Sequence, residues 1–455
     1  MTTLETRTPV IEVHDPADGR LVGTVPMATP EEVDAAVGRA HAAQVAWART
    51  APAARGAALR AAAAAVREHA DELAALNEAE TGRPRAEAAD GVLAGAGTLE
   101  QYAELGPVHR GRSLLGEHDA TDLMVPEPRG VVVALTPWND PVAVACGLLG
   151  AALVTGNAVV HKPSERAPHT GARLGELVAA AHPEHVLSTV TGDGTVGARL
   201  AADDRVAVLA HVGSTATGRA IAAAAARTGA KTLLENGGND PLLVDGDVDP
   251  EWAAEQAAIG AFANSGQICV SVERIYVHRA VAEPFLAALA RRARESVLAP
   301  LVDERHRSQV HAHVVDAVDR GARLLAGGEV PEGPGAHYPA TVLADCAQDM
   351  RVLTEETFGP VAPVRVVHDF AEGLAEAATG RYGLAATVLT GSMAHAQRAW
   401  RELPVGTVKV NAVFGGAPGG AAEPRGASGH GFGFGPELLD ELTTTKVVHL
   451  QPPPG

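Results

Sequence analysis

The sequence predicts an α/β fold: a parallel sheet covered by helices, a second α/β domain, and a small β element at the end. Three observations carry this. From residue 129 short apolar runs recur, at Val131–Leu135, Ala158–His161, Val186–Val190, Val206–Val212 and Lys231–Leu234. Helical segments at Ala143–Val154, Thr170–Ala181 and Thr217–Thr228 separate most of them. Near-continuous apolar strands alternating with helices mean a parallel sheet buried on both faces. The alternation then resumes from Glu251 to about His430. Helices are expected there at Pro250–Ala263, Val281–Arg294 and His306–Ala326, and strands at Arg274–Val277, Val361–Val367, Ala385–Leu389 and Thr407–Val410.

The flanking elements follow in order. The first ~100 residues read as helices after a short extended start. Thr29-Pro30-Glu31-Glu32 is a capping box with proline at the first helical position, and Val33, Val37 and Ala40 follow at helical spacing. A second helix carries Leu59, Val66, Leu73 and Leu76 on one face and ends near Thr81-Gly82. Residues 110–128 are polar and irregular, with an apolar patch at Leu123–Val125, and read as a projecting arm. Gly415–Gly435 is too rich in glycine to be anything but mostly loop. Thr443–Leu450 reads as a last strand before a proline-rich tip.

Composition narrows the function. The chain has 455 residues, 46% of them hydrophobic, enough for a large buried core and two or three domains. A formal net charge of -18 argues against a partner made of nucleic acid or anionic membrane. No uncharged apolar run is long enough to span a bilayer, and Met1–Val10 lacks the apolar core of a signal peptide. Cys146, Cys269 and Cys346 are far apart and form neither a metal-spacing pair nor a disulfide framework. No metal is therefore expected, and a reduced cytoplasmic compartment is the default.

Several residues stand where chemistry is done in such folds, at the carboxyl ends of strands. Cys269 follows the small and polar segment Asn264-Ser265-Gly266-Gln267-Ile268, which suits a loop entering a cleft; the alternative is a core cysteine. Glu235 directly follows an apolar strand and precedes Asn236-Gly237-Gly238. Burial there would raise its pKa toward that of a useful base, whereas a solvated strand-end acid would be unremarkable chemically. Asn139, in Thr136-Pro137-Trp138-Asn139-Asp140-Pro141, offers an amide to a developing oxyanion, or is a turn asparagine between prolines. Lys162-Pro163-Ser164-Glu165 could hold ribose hydroxyls or form a surface ion pair. Two glycine-rich turns compete for a dinucleotide, Gly192-Asp193-Gly194-Thr195-Val196-Gly197 and Gly213-Ser214-Thr215-Ala216-Thr217-Gly218. Each follows a strand and opens a helix whose amides suit a pyrophosphate, and pattern alone does not choose between them.

Taken together these segments resemble the aldehyde dehydrogenase superfamily. The ordered set is Pro137-Trp138-Asn139, Lys162-Pro163-Ser164-Glu165, Gly213-Ser214-Thr215-x-x-Gly218, Glu235-x-Gly237-Gly238, Gly266-Gln267-x-Cys269, Glu356-Thr357-Phe358-Gly359-Pro360 and Ser428-Gly429. The resemblance implies a Rossmann-like NAD(P)-binding domain (1–109 and 129–236), a catalytic domain (237–435) and an oligomerisation element (110–128 and 436–455), assembled as a homodimer or homotetramer. It implies oxidation of an aldehyde to a carboxylic acid with NAD, or with NADP as the alternative. Cys269 would be the nucleophile, Asn139 with the Cys269 N–H would hold the oxyanion, and Glu235 would activate water. Thr136, Pro137, Trp138, Lys162, Ser164, Glu165, Gly194, Gly213, Ser214, Thr217, Gly237, Glu356 and Phe358 would bind the cofactor. The helix start at Gly213–Gly218 would face the pyrophosphate, with the Gly192–Gly197 loop near the adenine.

The chain departs from the family pattern at Asp140, Asn236 and Asn239, in a shortened stretch before Leu301, and at Gly419–Arg425, where a glycine-rich signature is replaced. Asp140 takes the place of an aromatic beside the aldehyde, which points to a polar or amine-bearing substrate. The other reading is that Asp140 caps the helix starting at Pro141. Two alternatives to a hydrolytic enzyme remain at this stage: a CoA-acylating relative, which generally lacks a base at Glu235, and an inactive NAD-binding or structural homologue.

Overall fold

The computed structural model describes residues 9–416 and 420–453. Most of Met1–Val10 and part of Gly419–Arg425 therefore lie outside the described residues. Two large sheets organise the chain. The first has six strands in the order Gly429–His430, Lys231–Glu235, Val206–Val212, Val131–Thr136, Ala158–Pro163 and Leu187–Thr189. All are parallel except the short Gly429–His430 edge. Alternate residues of its strands feed two different cores. Val132, Ala134 and Val208 face one, with the long helices Pro52–Glu68, Arg85–Leu105 and Pro141–Val154. Val131, Val133 and Leu209 face the other, with helices Pro30–Ala48, Gly194–Ala201 and Thr215–Thr228. Burial on both faces is why these strands are apolar throughout.

The chain leaves the strand Val131–Thr136 toward one edge of this sheet, then returns to its other side at Val206–Val212. The order of strands reverses between these two, and a crevice opens there at their carboxyl ends. The second sheet has seven strands, ordered Arg323–Ala326, Thr341–Ala344, Val361–Val367, Val272–His278, Asp240–Val244, Ala385–Leu389 and Thr407–Val410. The segment Glu235–Asn239 links the two sheets, because Glu235 ends a strand of the first and Asp240 begins one of the second.

The capping box at Thr29 and Glu32 is formed, with both reciprocal hydrogen bonds. Other expectations need correction. The second N-terminal helix is two helices, Pro52–Glu68 and Ala70–Thr81, broken at His69 with φ -102° and ψ 20°. The helix expected over His306–Ala326 ends at Asp319. Gly321 takes φ +100°, and Arg323–Ala326 becomes a strand antiparallel to Thr341–Ala344. The stretch 110–128 holds two strands, Arg112–Leu114 and Thr121–Pro128. Thr121–Pro128 pairs along its whole length with Thr443–Leu450. Strands Asp240–Val244 and Thr341–Ala344 were not anticipated. Among the described residues no helix is long and apolar enough to cross a membrane.

Candidate active site

A cavity of about 870 Å³ runs from the crevice of the first sheet to the edge of the second. Every residue assigned above to catalysis or to cofactor binding lines it, and Asp140 does not. The strand Val206–Val212 delivers Gly213 and Ser214 to its wall. The Ser214 hydroxyl accepts from the Thr217 N–H and caps the helix Thr215–Thr228, leaving the amide-rich end of that helix at the cavity. The competing turn also reaches the cavity, through Gly194 and Gly197. Asp193 caps its shorter helix, Gly194–Ala201. The two glycine-rich turns therefore share one cleft.

Cys269 and Glu235 meet across the sheet junction. The Cys269 thiol donates to Glu235 Oε1 at 3.6 Å. Burial raises the Glu235 carboxyl above the usual range, and the thiol's hydrogen bond draws it partly back. The Cys269 thiol is pushed well above its ordinary value, first by burial and then by the charges of Glu235, Asp240 and Glu356. The loop before the cysteine is bent by three successive left-handed residues, Asn264 (φ 47°), Ser265 (φ 55°) and Gly266 (φ 74°). Two of these carry side chains, a strain of roughly 1–3 kcal/mol each. It is held by Gln267, whose Nε2 donates to Asn264 O and whose Oε1 accepts from the Val302 N–H. A Cβ at Gly266 would lie 2.2 Å from the Gly359 carbonyl oxygen, so only glycine fits that bend.

Asn139 is brought to this loop by the turn that follows Val131–Thr136. Its Nδ2 donates to Gln267 O at 3.1 Å, which places the amide next to Cys269. The linker bearing Glu235 is clamped from the other side. The Asn236 N–H donates to Ser428 O, and the Ser428 hydroxyl donates to Gly237 O while accepting from the Gly383 N–H. Glu356 accepts from the Gly238 N–H at 2.9 Å, and a Cβ at Gly237 would sit 1.9 Å from Glu356 Oε2. Gly237 is thus a glycine because a carboxylate passes over it.

The structure adds residues that the motifs did not show. Glu273 accepts from the Thr357 and Phe358 N–H groups and from Asn239 Nδ2, fixing the loop that carries Glu356 and Phe358. An acid inside the apolar strand Val272–His278 was the available signal. Trp138, His306 and Phe358 pack edge to face, with centroid separations of 5.6–6.0 Å. Arg166 lies over Trp138 and pairs with Asp303 at 2.8 Å. Lys162 is buried, 3.9 Å from the half-exposed carboxylate of Glu165.

Asp140 corrects the capping expectation. It stands at the N-cap of Pro141–Val154, yet its side chain makes no capping bond. Its carboxylate is drawn instead to Arg83 Nη1 at 3.0 Å, and the same guanidinium donates to Asn139 O at 3.2 Å.

A cysteine, a carboxylate and an amide converging beside a helix-capped crevice define an oxidoreductase of the covalent, dinucleotide-dependent class. The chain belongs to the aldehyde dehydrogenase family, whose model matches residues 3–448. The protein is an aldehyde dehydrogenase, as the motif set implied. It is 36% identical over 467 residues to a betaine aldehyde dehydrogenase of Cereibacter sphaeroides, an alignment covering 98% of this chain and 94% of that one. The structure of betaine aldehyde dehydrogenase from Staphylococcus aureus in complex with NAD+ matches with a TM-score of 0.95 at 28% identity, over 98% of this chain and 92% of that one. The structure of a lactaldehyde dehydrogenase matches with a TM-score of 0.95 at 31% identity, over 98% of this chain and 96% of that one.

Proposed function

We propose that the protein oxidises an aldehyde to its carboxylic acid with NAD+, through a thioester on Cys269 that water hydrolyses. The 3.6 Å contact of the Cys269 thiol with Glu235, on the wall of the cleft that also holds the Thr215–Thr228 helix start, carries this reading. Glu235 takes the thiol proton, and the Cys269 sulfur adds to the aldehyde carbon. Asn139 Nδ2 and the Cys269 N–H donate to the oxygen that becomes negative. NAD+, when bound, supplies the acceptor for the hydride that leaves this carbon. The residues present fit it: the Ser214-capped helix start suits a diphosphate, Lys162 and Glu165 suit a ribose, and Glu356 suits a second ribose. Glu235 passes the thiol proton on to solvent, and as a carboxylate again it removes a proton from water as that water attacks the thioester; the Cys269 thiolate departs. The test is an aldehyde panel with NAD+ and no CoA, read by absorbance of the reduced cofactor. Turnover that requires CoA overturns the hydrolytic reading.

NAD+ is expected to be preferred over NADP+. Glu165 would accept from a ribose 2′-hydroxyl and repel a 2′-phosphate. Arg166, a neighbouring cation able to reverse this, is held by Asp303 and Trp138. kcat/KM for NAD+ is expected to exceed that for NADP+ by ~10-fold or more, the scale of one like-charge juxtaposition. Asp303→Ala, which releases Arg166, is expected to narrow the gap. A parent enzyme that favours NADP+ overturns the assignment.

The substrate we infer is a polar aldehyde: the charged Arg83–Asp140 pair adjoins Asn139, although neither of its side chains is on the cavity wall. The relatives named for betaine aldehyde and lactaldehyde act on small polar aldehydes of that kind. Asp140→Phe is expected to lower the preference for an aminoaldehyde over hexanal by ~10-fold, about one charge-assisted contact. An unchanged ratio assigns the pair to bracing the Asn139 backbone alone.

We read the three-part division proposed from sequence as the working units, with the strands Thr121–Pro128 and Thr443–Leu450 as the surface that joins copies into a dimer or tetramer. Val447 and Leu450 on that element are exposed, 67% and 58%, which favours a covered position in an assembly. Cys146, Cys269 and Cys346 are free thiols, in keeping with a cytoplasmic protein.

A further inference from the structure

His211 has no role in any of the motifs above. It sits near the carboxyl end of Val206–Val212, paired in the sheet with Leu135 and Leu234. By strand alternation it shares the face of Leu209, which the helices Gly194–Ala201 and Thr215–Thr228 cover. It is 6% exposed, and among the described residues neither ring nitrogen completes a well-formed hydrogen bond, its one polar neighbour of that kind being the Ser214 backbone. Native proteins leave few buried polar groups in that condition. The ring lines the cavity and folds under the Gly213-Ser214 turn. A Cβ on Gly213 would lie 2.7 Å from its Cε1 and 3.1 Å from its Nε2. Burial lowers the imidazole pKa to about 4 and keeps the ring neutral; the neighbouring Ser214 backbone pulls the other way, and Lys162 adds to the lowering. A neutral imidazole keeps one N–H to donate.

We propose that His211 is a cofactor-binding residue that donates a hydrogen bond to the diphosphate of the dinucleotide, at the amide end of the helix Thr215–Thr228. The inference rests on the dinucleotide reading given under the proposed function. It adds an imidazole donor beside the backbone amides of the helix start. Gly213 is what admits it, since any side chain there would meet the imidazole.

The test is binding measured by calorimetry with the full-length enzyme. The ligands are NAD+, ADP-ribose and ADP, with adenosine scored as a competitor of NAD+. His211→Phe, which fills the space without the donor, is expected to weaken NAD+, ADP-ribose and ADP by ~10–100-fold, the range for a hydrogen bond to a charged group. Adenosine, which has no phosphate, is expected to bind the variant as it binds the parent. A purely structural role would weaken all four alike. His211→Asn, which keeps a shorter donor, is expected to fall between parent and His211→Phe, and carries the test if the phenylalanine variant does not fold. NAD+ and ADP affinities within about twofold of the parent overturn the proposal and leave the dinucleotide reading standing, as does an equal loss for adenosine. A parent enzyme that binds neither NAD+ nor ADP-ribose overturns both.

Discussion

Cys269→Ala is expected to lower kcat/KM for aldehyde oxidation by on the order of 10⁵-fold, the scale of losing a covalent nucleophile, while NAD+ binding stays within a few fold. Of the three cysteines only Cys269 lines the cavity. Cys146 and Cys346 are buried, and burial raises both thiols, so neither offers a thiolate to a substrate. Alanine keeps the backbone N–H that faces the oxyanion. It also leaves Gln267 and its contacts to Asn264, Asn139 and Val302 in place, so the loop should keep its shape. The loss is therefore chemical rather than structural. Steady-state absorbance of the reduced cofactor and a calorimetric titration with NAD+ check the two halves separately. Residual oxidation within ~100-fold of the parent would place the nucleophile elsewhere.

The parts of this site that lie on strand ends were legible in the sequence, because a short apolar run followed by a polar residue marks the carboxyl edge of a parallel sheet. Thr136-Pro137-Trp138-Asn139, Lys162, Gly213-Ser214 and Glu235 all fall at such ends. Their convergence was not legible from spacing. Glu235 and Cys269 meet only because the linker Glu235–Asn239 carries the chain from one sheet into the other, and the strand Asp240–Val244 that anchors this crossover was hidden behind its glycines. The resemblance to a family supplied the convergence that periodicity did not. What stayed out of reach was pairing between distant segments. Arg83 takes Asp140 away from the helix cap, Asp303 takes Arg166, and Glu273 fixes Phe358 from inside an apolar strand. Each partner looks ordinary in its own segment. Gly321 lies inside the helix expected over His306–Ala326, and the chain turns there ahead of Arg323–Ala326. Antiparallel pairing with Thr341–Ala344 decides that segment, and a local reading does not contain its partner.

Glu235→Gln is expected to lower kcat by ~10²–10⁴-fold, the usual loss for a general base. Glutamine has nearly the same shape and keeps an acceptor for the Cys269 thiol, so the fold should hold. Removing a buried ionisable carboxyl also removes a desolvation cost. The proposed mechanism uses Glu235 twice, and the two uses separate in time. If another base or solvent can take the thiol proton, rapid mixing of the variant with aldehyde and NAD+ gives one equivalent of reduced cofactor per site, followed by slow turnover. If only Glu235 takes it, the burst slows with the steady state. The pH dependence follows from the same group. The base must be ionised, and burial raises its pKa above the ordinary glutamate value. For the parent, kcat should therefore fall as pH is lowered through that raised pKa, tenfold per unit below it, with the limb lying above the range of an exposed carboxylate. In Glu235→Gln this limb should disappear. Steady-state turnover equal to the parent's, or an unchanged acid limb, would remove Glu235 from the role of base.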